Sequence, residues 1–496
     1  MATIIHPRKI GTKKQLFFDN EIIDDISGLK RTWFQVSKHP DNPLIQGKFS
    51  WEQGGVRLYG TVLRENGQFR MWYVGRRKKP KGGFVCYAVS EDGLQWERPS
   101  LGLHEYAGST ENNITFIGDG HPGGLTVLRD DADPDADRRY KMVYDDRSGV
   151  GLAFSPDGLN WTPSPANPIH GKHNDTHLVL LKDLTGEKWF IYARPETYAG
   201  HWKRRVSVSE STDLENWTEF TSAVLPDELD APEFYYMAVF PYEDYYVGLL
   251  SPYRNATSSS MDVQLASSRD GYHWQRPVQR DTFIPIGNIG QFDSHIIWVG
   301  SGPVTVDDEL WFYYSGFKGR HDWGPHQASI GVGTLRLDGF VCLDATDPLT
   351  IGDAVSAAIG DLTTRGGHTR KEVIWPDEGN MITRPFIWEG DRLVINAWAP
   401  EGEGSVKVQV LDTDAPLPED RPGMGMPLRG KPMHNPPFAG FGLKHCDPFS
   451  GDDVRHTVTW QGHSELSHLR GKTVRLHFVL GGARLFAFQV APNGDT

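Results

Sequence analysis

The stretch SEDGLQW, residues 90–96, decides the fold because the chain returns to the same phrase at regular intervals. Each copy follows a strand-like run rich in aromatic residues, such as FRMWYVG at 69–75. The further copies are SPDGLNW (155–161), STDLENW (211–217), SRDGYHW (268–274) and a shortened LDGF (337–340). The aspartates of successive copies are 56 to 68 residues apart, about the length of one four-stranded sheet. This repetition predicts a five-bladed β-propeller.

The repeats occupy only part of the 496 residues, so a second domain is expected. Strands continue after residue 360 without the tryptophan turn, as in PFIWEGDRLVINAW and VRLHFVLGGARLFAFQV. We therefore predict an all-β chain with a catalytic propeller over 1–355 and a C-terminal β-sandwich over 356–496. The N-terminal segment 16–25 alternates like a strand, and we expect it to close the propeller against the last blade. Two long loops, 365–380 and 415–440, leave the oligomeric state open, a homo-oligomer included.

Composition and charge limit the kinds of binding partner and the cellular compartment that we expect. Acidic side chains outnumber basic ones by 13, which argues against nucleic acid or an anionic membrane as the main partner. The three cysteines lack metal-ligand spacing, and no stretch has the length and hydrophobicity of a signal sequence or a membrane span. We expect a soluble cytoplasmic protein with a neutral or locally compensated substrate. No redox or nucleotide cofactor is implied.

The repeated turns themselves are expected to be structural. Their aspartate should accept backbone N–H groups, their glycine should adopt positive φ, and their tryptophan should pack between blades. In an up-and-down blade these turns lie on one face, while the starts of the inner strands converge on the other. We therefore expect the functional site at that second face, in a central funnel.

Carboxylates stand at four of the five inner-strand starts: Glu52, Asp175, Glu233 and Asp293. Acids that converge on one funnel repel one another unless some are protonated or paired with cations, and this drives their pKa values apart. Further polar and aromatic residues follow the second strands at the same face. We predict them to bind substrate: Arg77, Asp146, Arg194, Arg254, His321, Asp322 and Trp323.

The chain resembles the five-bladed propeller glycosidases of glycoside hydrolase families 32, 43 and 68, and most closely bacterial proteins described as family 32-like. The resemblance covers nearly the full length and rests on WEQGGVRLYGTVL (51–63), FDSHIIWVGSGPV (292–304), GTLRLDGF (333–340) and the tail from 474 to 489. It implies a propeller followed by a sandwich. The three acid motifs of family 32, Trp-x-Asn-Asp-Pro, Arg-Asp-Pro and Glu-Cys, are absent from this chain. Only the arrangement of acids at inner-strand starts carries over.

These observations predict a glycoside hydrolase that acts from the chain end on a small fructosyl-type or arabinosyl-type furanoside. Glu233 is the expected general acid, since the aromatic residues after it could raise its pKa. Asp175 and Asp293 are candidates for nucleophile or base and for transition-state stabiliser, with Glu52 as the alternate. A non-catalytic carbohydrate-binding propeller is one rival. A phosphorolytic enzyme that holds phosphate with Arg194, Arg254 and His321 is another. No metal site is demanded, although a structural calcium ion in the channel is compatible with the resemblance.

Overall fold

A computed structural model describes residues 6–78, 82–118, 122–146, 148–171, 174, 176–195, 203–321, 327–346, 378–416 and 434–494. Within these ranges every regular element is a strand apart from three single-turn 3-10 helices, Ser50–Glu52, Ala136–Arg138 and Ser467–Leu469. The chain divides into two compact units, Gln35–Arg336 and Met1–Phe34 together with Leu337–Thr496. No helix among the described residues has the length and hydrophobicity that crossing a membrane requires.

Unit Gln35–Arg336 contains five antiparallel sheets, each built mainly from four strands that are consecutive in the chain. From the inside outwards, blade 1 consists of Val56–Glu65, Gln68–Arg77, Gly82–Ser90 and Ile114–Phe116. Blade 2 consists of Leu125–Arg129, Tyr140–Asp146, Gly149–Ser155 and Thr162–Pro163. Blade 3 consists of Val179–Lys182, Trp189–Ala193, Val206–Ser211 and Thr221–Val224. Blade 4 consists of Glu233–Tyr242, Tyr245–Tyr253, Val263–Ser268 and Thr282–Ile284. Blade 5 consists of Ile296–Val299 with Val304–Val306, then Glu309–Phe317, Ala328–Arg336 and Ser37–Lys38.

Hydrogen bonds join the sheets into a closed ring. The Val127 amide donates to Thr61 Oγ1 between blades 1 and 2, and Thr126 Oγ1 donates to the Leu178 carbonyl between blades 2 and 3. The remaining junctions are Phe234 N to Arg204 O, Ile297 N to Met261 O and Ser301 N to Gly60 O. Each blade is therefore hydrogen-bonded to the next, and the fifth is bonded to the first. The predicted fold class, all-β with a propeller, is confirmed.

The repeated turns have the predicted structural role. Asp92 Oδ1 accepts the amides of Leu94 and Gln95 at 2.8 and 2.7 Å, and Gly93 adopts φ +75°. The Trp96 ring packs edge-on against Tyr313 of blade 5 at 5.7 Å.

The turns also explain why the repeat is so regular. In three of the turns, an aromatic side chain on the second strand of the preceding blade donates to the carbonyl of the residue after the aspartate. The three described cases are Tyr313 to Gly93 O at 2.9 Å, Trp72 to Gly158 O at 2.6 Å and Tyr192 to Gly271 O at 2.6 Å. We refer to these contacts as inter-blade latches.

The second unit is a β-sandwich. One sheet has the order Lys30–Trp33, Val341–Asp344, Arg484–Ala491, Arg392–Ala399 and Gly451–Thr457, with Gln15–Leu16 also paired to Arg484–Ala491. The other contains Ile23–Ser27, Glu378–Thr383, Thr473–Gly481, Phe386–Ile387 and Ser405–Asp412. Phe478 of one sheet and Phe488 of the other lie 5.4 Å apart between ring centroids, and both are buried. The predicted sandwich is confirmed.

The N-terminal strand lies in the sandwich and not, as expected, in the propeller. Leu16 pairs with Ala487, and Ile23–Ser27 pairs with Glu378–Thr383, so segment 16–25 belongs to the sandwich. The propeller is instead closed by Ser37–Lys38, which pairs with Gly333 and Thr334 of blade 5. Val341–Asp344 likewise pairs within the sandwich. The expected boundary at 355 and most of both long loops lie outside the described residues.

The three cysteines, Cys86, Cys342 and Cys446, are buried and free, as their spacing predicted. Burial raises the pKa of the Cys86 thiol well above its ordinary value, and the charge of Glu52 adds to this. These thiols are therefore protonated components of the core.

Candidate active site

The starts of the inner strands and the ends of the second strands meet at one face of the propeller, because the two strands run antiparallel. Val56 pairs with Gly75, Glu233 with Tyr253, and Ile296 with Phe317. Side chains that are far apart in the sequence are therefore brought together there. We use the name funnel for the site formed at this face by Arg57, Arg194, Arg204, Glu233, Tyr235, Tyr253, Trp298 and His321.

Glu233 begins the inner strand of blade 4 and is 7% exposed. Its Oε2 accepts hydrogen bonds from Arg204 Nη1 at 2.8 Å and from Asn255 Nδ2 at 2.7 Å. The guanidinium neutralises the carboxylate, and the amide satisfies a further lone pair. Glu233 is therefore a charged acceptor at the edge of the funnel.

Aromatic rings line the funnel beside Glu233. Tyr235 stacks on Trp298 at 5.7 Å with an interplanar angle of 14°, and Tyr253 meets Tyr235 edge-on at the same distance. The Tyr235 hydroxyl and His321 Nε2 lie 2.8 Å apart, within hydrogen-bond distance. The guanidinium of Arg194 lies 4.5 Å from the Tyr235 ring centroid. Flat rings next to fixed polar groups are suited to a ligand that has both apolar faces and hydroxyls.

Two arginines of blade 1 extend the funnel. Arg57, on the inner strand, lies 5.4 Å from the Trp298 ring centroid and 5.7 Å from that of Phe317. Burial lowers the pKa of Arg57, although nearby tyrosines, Tyr59 and Tyr235, act in the opposite direction. Burial and the charge of Arg57 lower the pKa of Arg76 to about 10, while the charge of Asp145 acts in the opposite direction. Both arginines remain cationic at neutral pH, close enough to repel each other.

The floor of the funnel is closed by rings. Tyr59 stacks on Trp298 at 4.3 Å and on His177 at 5.5 Å, and Tyr236 meets Tyr59 edge-on at 5.6 Å. All four residues are buried. Burial lowers the pKa of His177 to about 3, so this imidazole is neutral at physiological pH. These stacked, buried rings occupy the centre of the propeller below the funnel.

Glu52, expected in the funnel, is fully buried within blade 1. It accepts from Tyr73 OH at 2.5 Å and from Arg98 Nη1 at 2.7 Å, and its Oε2 also accepts two backbone amides, those of Lys48 and Phe49. Its oxygens are therefore occupied by internal donors.

Asp293 has the same kind of environment in blade 5, where it is 1% exposed. Its Oδ2 lies 2.5 Å from Lys38 Nζ and accepts from Tyr314 OH at 2.9 Å. Tyr73 and Tyr314 are equivalent, because each follows a latch residue, Trp72 or Tyr313. Blades 1 and 5 thus share one arrangement. An acid before the inner strand binds a tyrosine of the second strand and a cation from the outer part of the blade.

The predicted substrate-binding residues are placed as follows. Arg194 and His321 lie in the funnel, as described above. Arg254 forms a two-point salt bridge with Asp262, with N to O distances of 2.8 and 3.0 Å, which accounts for its charge within blade 4. Arg77 lies 5.2 Å from the Phe84 ring centroid in blade 1. Asp175, Asp322, Trp323 and the side chain of Asp146 lie outside the described residues.

Sequence reasoning missed Arg57, Arg204 and Trp298. A signal was present for Arg57, an arginine inside the otherwise apolar run VRLYGTVL of an inner strand. Trp298 lies within IIWV, which is typical of a buried strand and gives no hint of a site. Among the residues that the structure describes, no group of three or more histidines, cysteines and carboxylates is close enough to hold a metal ion.

Comparisons with known proteins add the following. No family model matches the chain, and no curated protein matches it. One similar solved structure belongs to work on the GH130 family of mannoside phosphorylases, which contains hydrolases that target β-1,2 mannosidic linkages in Candida mannan. It is 16% identical with a TM-score of 0.45, over 62% of this chain and 94% of that one.

Two further similar structures are α-L-arabinofuranosidases. The first, PaAbf62A from Podospora anserina in complex with cellotriose, is 13% identical over 63% of this chain and 99% of that one, with a TM-score of 0.43. The second is a GH62 catalytic domain from Coprinopsis cinerea, also 13% identical with a TM-score of 0.43, over 61% of this chain and 97% of that one.

Proposed function

We propose that the funnel is the site of a glycoside hydrolase that acts from the chain end on a small furanoside oligosaccharide, of fructosyl or arabinosyl type. The observation that carries this is Glu233, a carboxylate held by Arg204 and Asn255 beside the stacked rings of Tyr235 and Trp298. Sugar rings pack their C–H faces on aromatic planes, while their hydroxyls need fixed donors and acceptors. The funnel offers both.

Cleavage of a glycosidic bond requires a proton donor for the leaving oxygen and a second carboxylate that attacks the anomeric carbon or activates water. Both groups that approach Glu233 Oε2 are donors, so the geometry favours a charged acceptor at this position. We therefore assign Glu233 as nucleophile or base, rather than as the general acid expected from the sequence. Asp175, which the sequence analysis offers as nucleophile, base or stabiliser, takes the role of proton donor in this proposal.

The closed floor supports action at a chain end. Tyr59, His177 and Tyr236 are buried against one another where the inner strands converge. A substrate must therefore enter and leave by the same opening. Such a site accepts a terminal sugar more readily than the middle of a polymer.

The test is release of product from a panel of aryl furanosides and pyranosides, sucrose-type oligosaccharides and arabinan oligosaccharides. We expect turnover of at least one furanoside and at least a hundredfold loss in Asp175→Asn, as for removal of a general acid. Equal turnover of Asp175→Asn and the wild-type protein on the best substrate would refute this assignment.

A second candidate, a carbohydrate-binding propeller without catalysis, is favoured by one specific observation. Two of the four expected carboxylates, Glu52 and Asp293, are occupied by internal donors. This candidate predicts calorimetric binding of an oligosaccharide from the panel with no product after prolonged incubation.

A further inference from the structure

The funnel carries more positive charge than its described carboxylates balance. The whole chain has a formal net charge of −13, yet Arg57, Arg76 and Arg204 all lie at this face. Of these, Arg204 is paired with Glu233. Among the described residues, Arg57 and Arg76 form no salt bridge, although the charge of Asp145 acts on Arg76. Arg57 Nε is buried without a hydrogen-bond partner.

Guanidinium groups are not expected to be held together in this way without a ligand. Removing a charge from water costs several kcal/mol unless a partner compensates, and here the two cations also repel each other. Both side chains are partly exposed, so the charge is accessible from the funnel. A ligand can therefore supply the missing counter-charge.

The arginines are also held in fixed positions. Arg57 packs against the adjoining rings of Trp298 and Phe317, which limit the orientation of its planar head group. The head group of Arg76 lies close to Gly83, where an added Cβ would come within 3.2 Å of Arg76 Nη1. A restrained guanidinium loses little entropy on binding and presents two parallel N–H donors, a geometry that matches an oxyanion.

We infer that Arg57 and Arg76 form an oxyanion-binding subsite of the funnel, which takes the carboxylate of an acidic sugar or an inorganic phosphate ion. That the ligand is part of the substrate, or reacts with it, rests on the proposed function. Binding of the anion itself does not depend on that function. The subsite lies beside Trp298, which joins it through Tyr235 to the Glu233 end of the funnel.

The experiment is isothermal titration of the full chain at low ionic strength with two probes, galacturonate and inorganic phosphate, and with arabinose as the neutral comparison. We expect at least one anion to bind, and to bind about 10 to 100 times more weakly to Arg57→Met and to Arg76→Met, as for loss of a hydrogen bond to a charged group. Arg57→Lys, which keeps the charge but lacks the planar fork, should give an intermediate value. Arg57→Lys also tests the subsite if Arg57→Met fails to fold. The matched control is Arg64→Met, near the other end of the same strand.

The two probes distinguish the sources. If galacturonate binds tightly and phosphate weakly, the subsite takes the carboxylate of an acidic sugar. If phosphate binds tightly and galacturonate weakly, the subsite takes phosphate as a co-substrate. No binding of either anion to the wild-type protein, or equal binding by all arginine variants, would overturn the subsite. Glu233→Gln separates the anion-binding subsite from the proposed function, because this variant should lose turnover and still bind the anion. If anions bind as expected but no glycoside is cleaved, hydrolysis fails and the subsite stands.

Discussion

Blades 1 and 5 differ from blade 4 in what surrounds the acid at the start of the inner strand. Glu52 and Asp293 each bind a buried tyrosine and a cation of their own blade. Glu233 binds Arg204 and Asn255 in loops outside the strands of its sheet, and stands among the rings that line the funnel. The three positions are equivalent in topology, but only the third faces the funnel.

The difference shows that topology alone does not make a carboxylate functional. In a repeat protein the same position recurs in every blade, and evolution can use it for structure in some blades and for chemistry in another. A carboxylate at this position is structural when donors of its own blade occupy its oxygens, and it is available to a ligand when they do not. Variants at these positions should therefore separate stability from activity.

The largest expected effect is on stability, at Glu52. Glu52→Ala leaves Arg98 and the Tyr73 hydroxyl without their buried partner, and should reduce the free energy of unfolding by about 3 to 5 kcal/mol. Urea denaturation measures this. The control Glu105→Ala, at an exposed position in the same blade, should change it by no more than about 0.5 kcal/mol. Equal effects of the two variants would contradict a structural role for Glu52.

The next effect is on activity, at Glu233. Glu233→Gln keeps the size of the side chain but removes the charge, and should reduce kcat at least about a hundredfold, the lower end for loss of acid or base catalysis. Glu228→Gln, an exposed position just before the same strand, is the matched control and should retain full turnover. Near-normal turnover of Glu233→Gln would remove Glu233 from the mechanism.

A smaller effect is expected at the inter-blade latches, which support both kinds of blade alike. Tyr192→Phe deletes only the hydroxyl that binds the Gly271 carbonyl, and should cost about 1 to 2 kcal/mol because a buried carbonyl loses its donor. Tyr106→Phe, a half-buried tyrosine in blade 1, is the control and should be close to neutral. Thermal unfolding of both variants would show whether the latch contributes.

The smallest effect is the pH dependence of a repeated turn. Burial opposes the shift, but hydrogen bonds from the side chain and amide of His273 and from the Tyr272 amide lower the pKa of Asp270 to about 2. A lowered carboxyl pKa stabilises the fold above the unfolded value near 3.9, and this contribution is lost as the pH falls from about 4 to about 2.

Because Asp270 is about half exposed, its contribution should stay below about 1 kcal/mol. Urea denaturation of wild type and Asp270→Asn should show a difference in unfolding free energy at pH 6 that shrinks at pH 3. A difference that grows on acidification would show that the turn does not act in this way.

The sequence predicted the propeller well because its signal is local and repeated. The Ser-x-Asp-Gly turns specify their own hydrogen bonds, and the period between them gives the size of a blade. The N-terminal strand was misassigned because an alternating run such as LFFDNEIIDD fits any open sheet edge. Its true partners near residues 380 and 487 lie more than 300 residues away. The sequence pattern alone does not specify which sheet edge this strand joins.

The site was predicted only in part, for a related reason. Topology predicted that Glu233, Arg194 and His321 lie at one face, and the structure brings them together there; that this face is the functional one stays a prediction. The side-chain partners of Glu52 and Asp293 come from residues 21 to 46 positions away and, for Lys38, from the opposite end of the unit. The sequence predicts Trp298 to be a core residue because one side of its ring packs in the core, while the other side faces the funnel.

The most direct test of the central claim is to measure product release and the unfolding midpoint for Glu233→Gln and Asp293→Asn side by side, on the best substrate of the glycoside panel. We expect Glu233→Gln to unfold near the wild-type midpoint with turnover reduced at least about a hundredfold. We expect Asp293→Asn to unfold earlier and, while folded, to turn over substrate at close to the wild-type rate. The reverse pattern, with activity lost in Asp293→Asn and kept in Glu233→Gln, would contradict the division between structural and functional carboxylates.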